Sequence, residues 1–260
     1  MAVKTTVYTV ILAVISNIYR CKKAYRIKDE KYIDDRLKVI EGIVSVNDIK
    51  VKAKEFDLTI TEYLTSVLIK SIGGLKSKSK KPIVITIPVN LRKYYPTYTV
   101  RNFFSVVNID YSYNIDSFKD ITKSVKKSFK EKLDKENIKD KMNSMIKLED
   151  IFIVRLIPVF IKDLVLKIAC NIENEYQTMT LSNIGIINMP DIYKKYIDYF
   201  SVFTSTSKIQ MCMCSYNDKM VISFSSKFVN SEIEKNFFKF LSKVGIDVII
   251  NTNDYGDYDE

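Results

Sequence analysis

An α/β (α+β) two-layer sandwich built on a mixed β-sheet is the fold class this sequence predicts, on three observations. Amphipathic helical stripes and short β-branched or aromatic runs both occur, but they do not alternate strictly, which argues against a doubly wound parallel sheet. Hydrophobic residues make up 47% and aromatic residues 12% of the 260, enough to bury a sizeable core. Six glycines and five prolines are few for this length, so repeats, collagen-like stretches and long flexible linkers are not expected.

The elements follow in chain order. Thr5 to Tyr19 is apolar, follows Lys4 and precedes the basic run Arg20-Cys21-Lys22-Lys23. A bilayer core needs about 20 apolar residues. This run is shorter, contains Ser16 and Asn17 and lacks a small-residue cleavage pattern, so Thr5–Tyr19 reads as a buried helix or strand rather than a signal peptide or membrane anchor, within an N-terminal segment, residues 1–23, to which no role is assigned. A short helix is expected from Val46 to Phe56. Thr59 and Glu62 have capping-box spacing ahead of the stripe Ile60, Tyr63, Leu64, Val67, Leu68 and Ile72, which predicts a helix ending at Gly73-Gly74. Pro82 to Val89 is too continuously apolar for an edge strand, and Phe103 to Tyr113 reads as a second strand.

From Ser117, the spacing of Phe118, Ile121, Val125, Phe129 and Leu133 predicts a lysine-rich amphipathic helix. A further helical region is expected from Leu148 to Ile172, interrupted at Pro158. Strands are then expected over Met179–Asn183, Tyr199–Ser205, Ile209–Tyr216 and Met220–Phe228, with Asn217-Asp218 as a hairpin turn. Ser231 and Glu234 are placed to cap a last helix bearing Ile233, Phe237, Phe238, Leu241 and Val244. The acidic stretch 251–260 is expected to be disordered, leaving 24–250 as the folded unit.

Composition excludes several functions. The net charge is +10, but the lysines are spread over polar helix faces and no nucleic-acid-binding signature accompanies them, so a nucleic-acid partner is not expected. The densest cluster, Lys76, Lys78, Lys80 and Lys81, reads as a solvated loop that would also suit an anionic group such as the phosphates of coenzyme A. Cys21, Cys170, Cys212 and Cys214 do not form a disulfide framework at this size, which points to a cytoplasmic protein. Cys212 and Cys214 would share one strand face and read as small buried residues rather than zinc ligands, and no metal is expected. The chain has no histidine. Serine and cysteine triads, two-histidine zinc sites and histidine proton shuttles are therefore excluded within it.

Three anchors nevertheless carry a resemblance. They are Pro88-Val89-Asn90-Leu91-Arg92, then Arg101-Asn102 ahead of Phe103, then Leu181-Ser182-Asn183-Ile184-Gly185 with Pro190. Together they resemble the second lobe of acyltransferases built like chloramphenicol acetyltransferase, a superfamily that includes condensation domains and wax-ester synthases. Within it, the stretch from Pro88 to Phe103 looks most like the bacterial alcohol acetyltransferases. The helix around Thr59-Ile60-Thr61-Glu62-Tyr63-Leu64 also matches, and the resemblance runs from Ala24 to Ile250.

The resemblance implies acyl transfer from acyl-CoA to an alcohol, with no covalently bound cofactor. It also implies a first lobe, in the same or a second polypeptide, carrying the H-H-x-x-x-D-G base. No segment here matches that motif, so no catalytic residue is assigned, and the chain alone is expected to be inactive, as half of a split or truncated enzyme. By the resemblance Asn90, Arg92 and Asn102 support the tunnel wall, Arg92 through carboxylate or backbone hydrogen bonds or by direct substrate contact. Ser182, Asn183 and Gly185 take the acyl-donor side, although a tight strand-ending turn accounts for the same residues. Tyr94 and Tyr95 are expected to pack at the lobe interface. The alternative is a non-catalytic binding or interaction protein that keeps the fold.

Overall fold

The computed structural model describes residues 23–75, 79–100, 103–113, 117–149, 158–205 and 207–254. Along the chain come β1 (Lys38–Ser45), α1 (Val46–Glu55), α2 (Ile60–Gly73), β2 (Ile83–Asn90), a 3-10 turn (Leu91–Lys93), β3 (Phe104–Tyr111), α3 (Phe118–Lys132) and α4 (Lys135–Glu149). They are followed by α5 (Val159–Glu173), β4 (Met179–Ile186), α6 (Asp191–Lys194), β5 (Gln210–Tyr216), β6 (Lys219–Ser226), α7 (Glu232–Lys243) and β7 (Ile249–Thr252).

Local chemistry accounts for the best-defined helices. Glu62 N–H donates to Thr59 Oγ1 at 3.3 Å, and Thr59 N–H donates back to Glu62 Oε2 at 2.7 Å, a closed capping box at the start of α2. Thr59→Ala should therefore cost about 1 kcal/mol, seen as a lower urea midpoint at unchanged slope. Ser117 caps α3 in the same way by accepting from Asp120 N–H at 3.2 Å. At α7 the expected cap is not made. Ser231 has φ −123° and ψ 24°, outside the extended conformation that aims a capping hydroxyl, and it makes no side-chain cap bond. Asn230 Oδ1 instead accepts from Glu232 N–H at 2.8 Å, and Glu234 is buried.

The described strands form one mixed sheet in the order β3-β2-β4-β5-β6-β1-β7. The pairs β2/β4 and β4/β5 are parallel, and the other four neighbouring pairs are antiparallel. Alternation along the strands sorts the faces. Ile83, Ile85 and Ile87 of β2, Met211 and Met213 of β5, and Met220, Ile222 and Phe224 of β6 join the core under α1, α2, α3 and α7. This is the expected sandwich with a mixed sheet.

The intervening positions make a more polar second face, and the segment after α6 crosses it. Cys214 Sγ and Ser225 Oγ donate to the carbonyls of Phe200 and Thr204 at 3.1 and 2.6 Å, and the Phe200 ring meets Tyr216 edge-on at 5.2 Å. Tyr199–Ser205 is therefore not the expected strand. The carbonyls of Phe200 and Thr204 are satisfied by side chains of the strands beneath, and the segment does not join the ladder.

Other expectations also need correction. Residues 135–147, for which no element is expected, are helical as part of α4; of the region expected from Leu148 to Ile172, the helix behind Pro158 is present as α5, and 150–157 lie outside the described residues. Neither β1 nor β7 is legible in the sequence. Strand β7 takes in Asn251 and Thr252, and Asn253 Oδ1 accepts from Val39 N–H at 2.7 Å, so the ordered chain runs past Ile250. Residues 1–22, which hold the apolar N-terminal run and Cys21, lie outside the described residues, as do Lys76, Lys78 and positions 255–260. Among the described residues no helix is long and apolar enough to cross a membrane.

Candidate functional site

The parallel pairing of β2 with β4 brings two of the three anchors to neighbouring strand ends. The ladder between these strands covers Ile85↔Met179 and Thr86↔Thr180. Beyond it β2 stays paired with β3 as far as Asn90, while β4 stays paired with β5 as far as Ile186. The carboxyl-terminal halves of two adjacent parallel strands thus lack a shared ladder. Crevices outside the carboxyl ends of strands are where open α/β sheets hold ligands.

One lip is built from Asn90 and Arg92. Asn90 Oδ1 accepts from Arg92 N–H at 3.0 Å and so starts the 3-10 turn, while Leu91 is buried and its N–H donates to the Phe103 carbonyl at 3.1 Å. Arg92 Nη2 donates to the Thr99 carbonyl at 2.8 Å, tying the turn to the following loop. A guanidinium suits this bridging, since it keeps its charge and donates in fixed directions. Tyr94 and Tyr95 are half-buried behind the turn, and burial pushes the Tyr94 phenol pKa up. Arg101 and Asn102 lie outside the described residues, so the expectation for Asn102 has no geometry attached to it.

The other lip is β4. Ser182 pairs with Cys212, Asn183 with Met213 and Gly185 with Cys214, so Ile184 is an extra residue in a bulge. Gly185 has φ +88°, and a Cβ there would meet nothing within 4 Å; backbone conformation, not crowding, requires glycine. Asn183 holds the bulge: its Oδ1 accepts from Gly185 N–H at 2.8 Å, and its Nδ2 donates to Thr61 Oγ1 in the first turn of α2 at 2.9 Å. Both ends of that amide are engaged within the fold. Ser182 is half-buried, and its hydroxyl makes no hydrogen bond among the described residues.

Among the described residues the two lips offer a guanidinium and a hydroxyl, neither of which takes up a proton near neutral pH. Asp57 and Asp35 are bound to Lys126 and Lys227, and these hydrogen-bonded ammonium groups hold both carboxyl pKa values below the usual carboxylate value. Cys212 and Cys214 are buried, and burial pushes both thiol pKa values up, away from thiolate chemistry. Among the described residues no three potential ligands cluster as a metal site would require. Glu234, expected at the cap of α7, is buried, and no local pattern in the sequence signals that burial.

Neither a protein-family model nor a curated protein sequence matches the chain. Solved structures do. The wax ester synthase/diacylglycerol acyltransferase from Marinobacter aquaeolei VT8 superposes with TM-score 0.51 at 11% identity, over 93% of this chain and 57% of that one. The fold is that of condensation-domain and acyltransferase proteins. The EpoB nonribosomal peptide synthetase cyclization-docking bidomain from Sorangium cellulosum is similar over 90% of this chain and 48% of its own, at 12% identity and TM-score 0.53. The nonribosomal peptide synthetase FmoA3 gives TM-score 0.57 at 12% identity, over 88% of this chain and 23% of its own. The chain thus spans about half the length of the first two structures and about a quarter of the third. Identities this low speak for the acyltransferase-type fold and no further.

Proposed function

We propose that this chain is one lobe, the second, of an acyl-CoA-dependent O-acyltransferase resembling the alcohol acetyltransferases, working with an imidazole supplied from outside these 260 residues. The observation that carries the reading is the split between β2 and β4, which sets Arg92 on one side and Ser182 with the Gly185 bulge on the other, in a fold shared with acyltransferases. In the complete enzyme an alcohol oxygen attacks the thioester carbonyl and its proton passes to the imidazole. The tetrahedral intermediate then collapses, and the coenzyme A sulfur leaves and takes up the proton. The Ser182 hydroxyl donates to the carbonyl oxygen as charge develops there, and Arg92 keeps the opposite wall in place.

Exposed apolar side chains support a partner lobe. Ile184 and Ile186 on β4, Ile192 and Tyr193 on α6, and Tyr196 just after it are all exposed, Ile186 to 74%. Apolar exposure of this extent marks interaction surfaces.

The test measures thiol release from acetyl-CoA with an alcohol acceptor. The purified chain should show none above background. Adding a separately expressed H-H-x-x-x-D-G-bearing lobe should restore it, since a general base alone contributes about 10²–10⁴-fold. Full-rate transfer by the chain alone would sink the reading. The lack of histidine favours a second reading, a binding protein that keeps the fold; acetyl-CoA binding with no transfer in any such mixture would establish it.

A further inference from the structure

A cavity of about 200 Å³ lies at the other end of the sheet from Ser182 and Gly185, against Ile209, next to the start of the β4/β5 ladder. Its apolar wall includes Ile72 at the end of α2, Ile209 before β5 and Phe228 after β6. Glu234, in the first turn of α7, lines it as well. That residue is only 1% exposed, and both of its carboxyl oxygens are buried without a hydrogen-bond partner.

A carboxyl group buried in this way is costly, because it has given up water and received nothing in exchange. Lys38, itself buried, is the neighbouring cation that would be expected to serve it. Its ammonium instead donates to the carbonyls of Val229 and Asn230 at 2.8 and 3.1 Å and acts on Glu234 only through space. Burial raises the Glu234 pKa; its own main-chain N–H, near the carboxyl but outside hydrogen-bond geometry, and the field of Lys38 oppose in part, and Asp29 adds to the rise. Among the described lining residues, Asp29 and Glu232 add acidic groups and Lys28 one ammonium. Tyr25, Lys28 and Asn230 in the lining carry donors, yet among the described residues none of them bonds the Glu234 carboxyl, and the balance of charge favours a cation.

We propose that this cavity binds a small organic cation, a primary ammonium on a short alkyl chain, which donates to Glu234 and lays its carbons on Ile72, Ile209 and Phe228. The volume equals about seven water molecules at liquid density, which suits a molecule of that size. The site is separate from the β2/β4 crevice.

The test is a titration of the whole chain, isotope-labelled at isoleucine methyls, with n-butylammonium chloride and in parallel with n-butanol. Butylammonium should shift the methyl signals of Ile72, Ile209 and Ile233 saturably and bind on the order of tenfold or more tighter than butanol, as one charge-assisted hydrogen bond would give. Glu234→Gln, its folding checked in the same spectra, should abolish that preference. Equal binding of the two probes would reduce the feature to an apolar hole. Absence of saturable shifts at tens of millimolar, or a Glu234→Gln chain that keeps the preference, would overturn the proposal. Because the comparison of probes is made on the native chain, a variant that fails to fold does not protect it.

Discussion

Replacing Phe224 with alanine should destabilise the protein by about 3–5 kcal/mol, the range for deleting a buried ring. Phe224 sits on β6, with β5 and β1 on either side, and is 1% exposed. Its ring meets Phe237 and Phe238 of α7 edge-on, at centroid distances of 5.1 and 5.6 Å, and those two rings meet each other at 5.4 Å. The substitution removes the ring's burial and two favourable edge-to-face contacts, and both of its partners are held by a helix that cannot collapse inward without leaving the sheet. Because ordinary domains are stable by about 5–15 kcal/mol, the urea midpoint should fall steeply at nearly constant slope. A loss below about 1 kcal/mol would mean that α7 does not pack on β6 as described.

Gly42→Val should destabilise by about 1–3 kcal/mol or more, through crowding. Gly42 pairs with Ile222 on one side and Ile250 on the other, and a Cβ there would come within 2.1 Å of Cε1 on the edge of the Phe238 ring. The strand backbone at Gly42 is compatible with valine, so the cost lies in space alone, the reverse of Gly185, where space is free and φ is the constraint. That difference gives a sharp check. Phe238→Ala in the same chain opens room for the valine methyls, so the double variant should be more stable than the sum of the single effects by about 0.5–3 kcal/mol. Strict additivity, read from the four urea midpoints, would show that the ring does not sit over Gly42.

Much of the helical layer is legible because its signals are local. Thr59 with Glu62 and Ser117 with Asp120 act within one turn, and the stripes of α2 and α3 are periodic within a single segment. The strands that were missed have no such signal. Strand β1 carries Glu41 and Gly42 in its centre, which breaks the apolar run; Glu41 accepts from Ser223 across the sheet, and Gly42 makes room for Phe238. Strand β7 is short and exposed, and it exists through its register on β1. Tyr199–Ser205 has the composition of a strand, yet its Phe200 and Thr204 carbonyls are taken by Cys214 and Ser225, partners that no reading along the chain identifies.

The candidate site divides along the same line. The residue types of the anchors, the glycine of the bulge and the lack of histidine are properties of the sequence by itself, as are the helix stripes and the caps at Thr59 and Ser117. The tertiary structure decided that β4 lies beside β2 in parallel, that the shared ladder stops at Thr86 and Thr180, that Asn183 spends its amide on Thr61 and Gly185, and that Glu234 is buried beside a cavity and caps nothing. The physical reason is range. Helix periodicity and capping act over three or four residues, whereas strand order, a bulge's anchorage and the burial of one carboxyl depend on contacts between segments far apart in the chain, which exist once the core has formed.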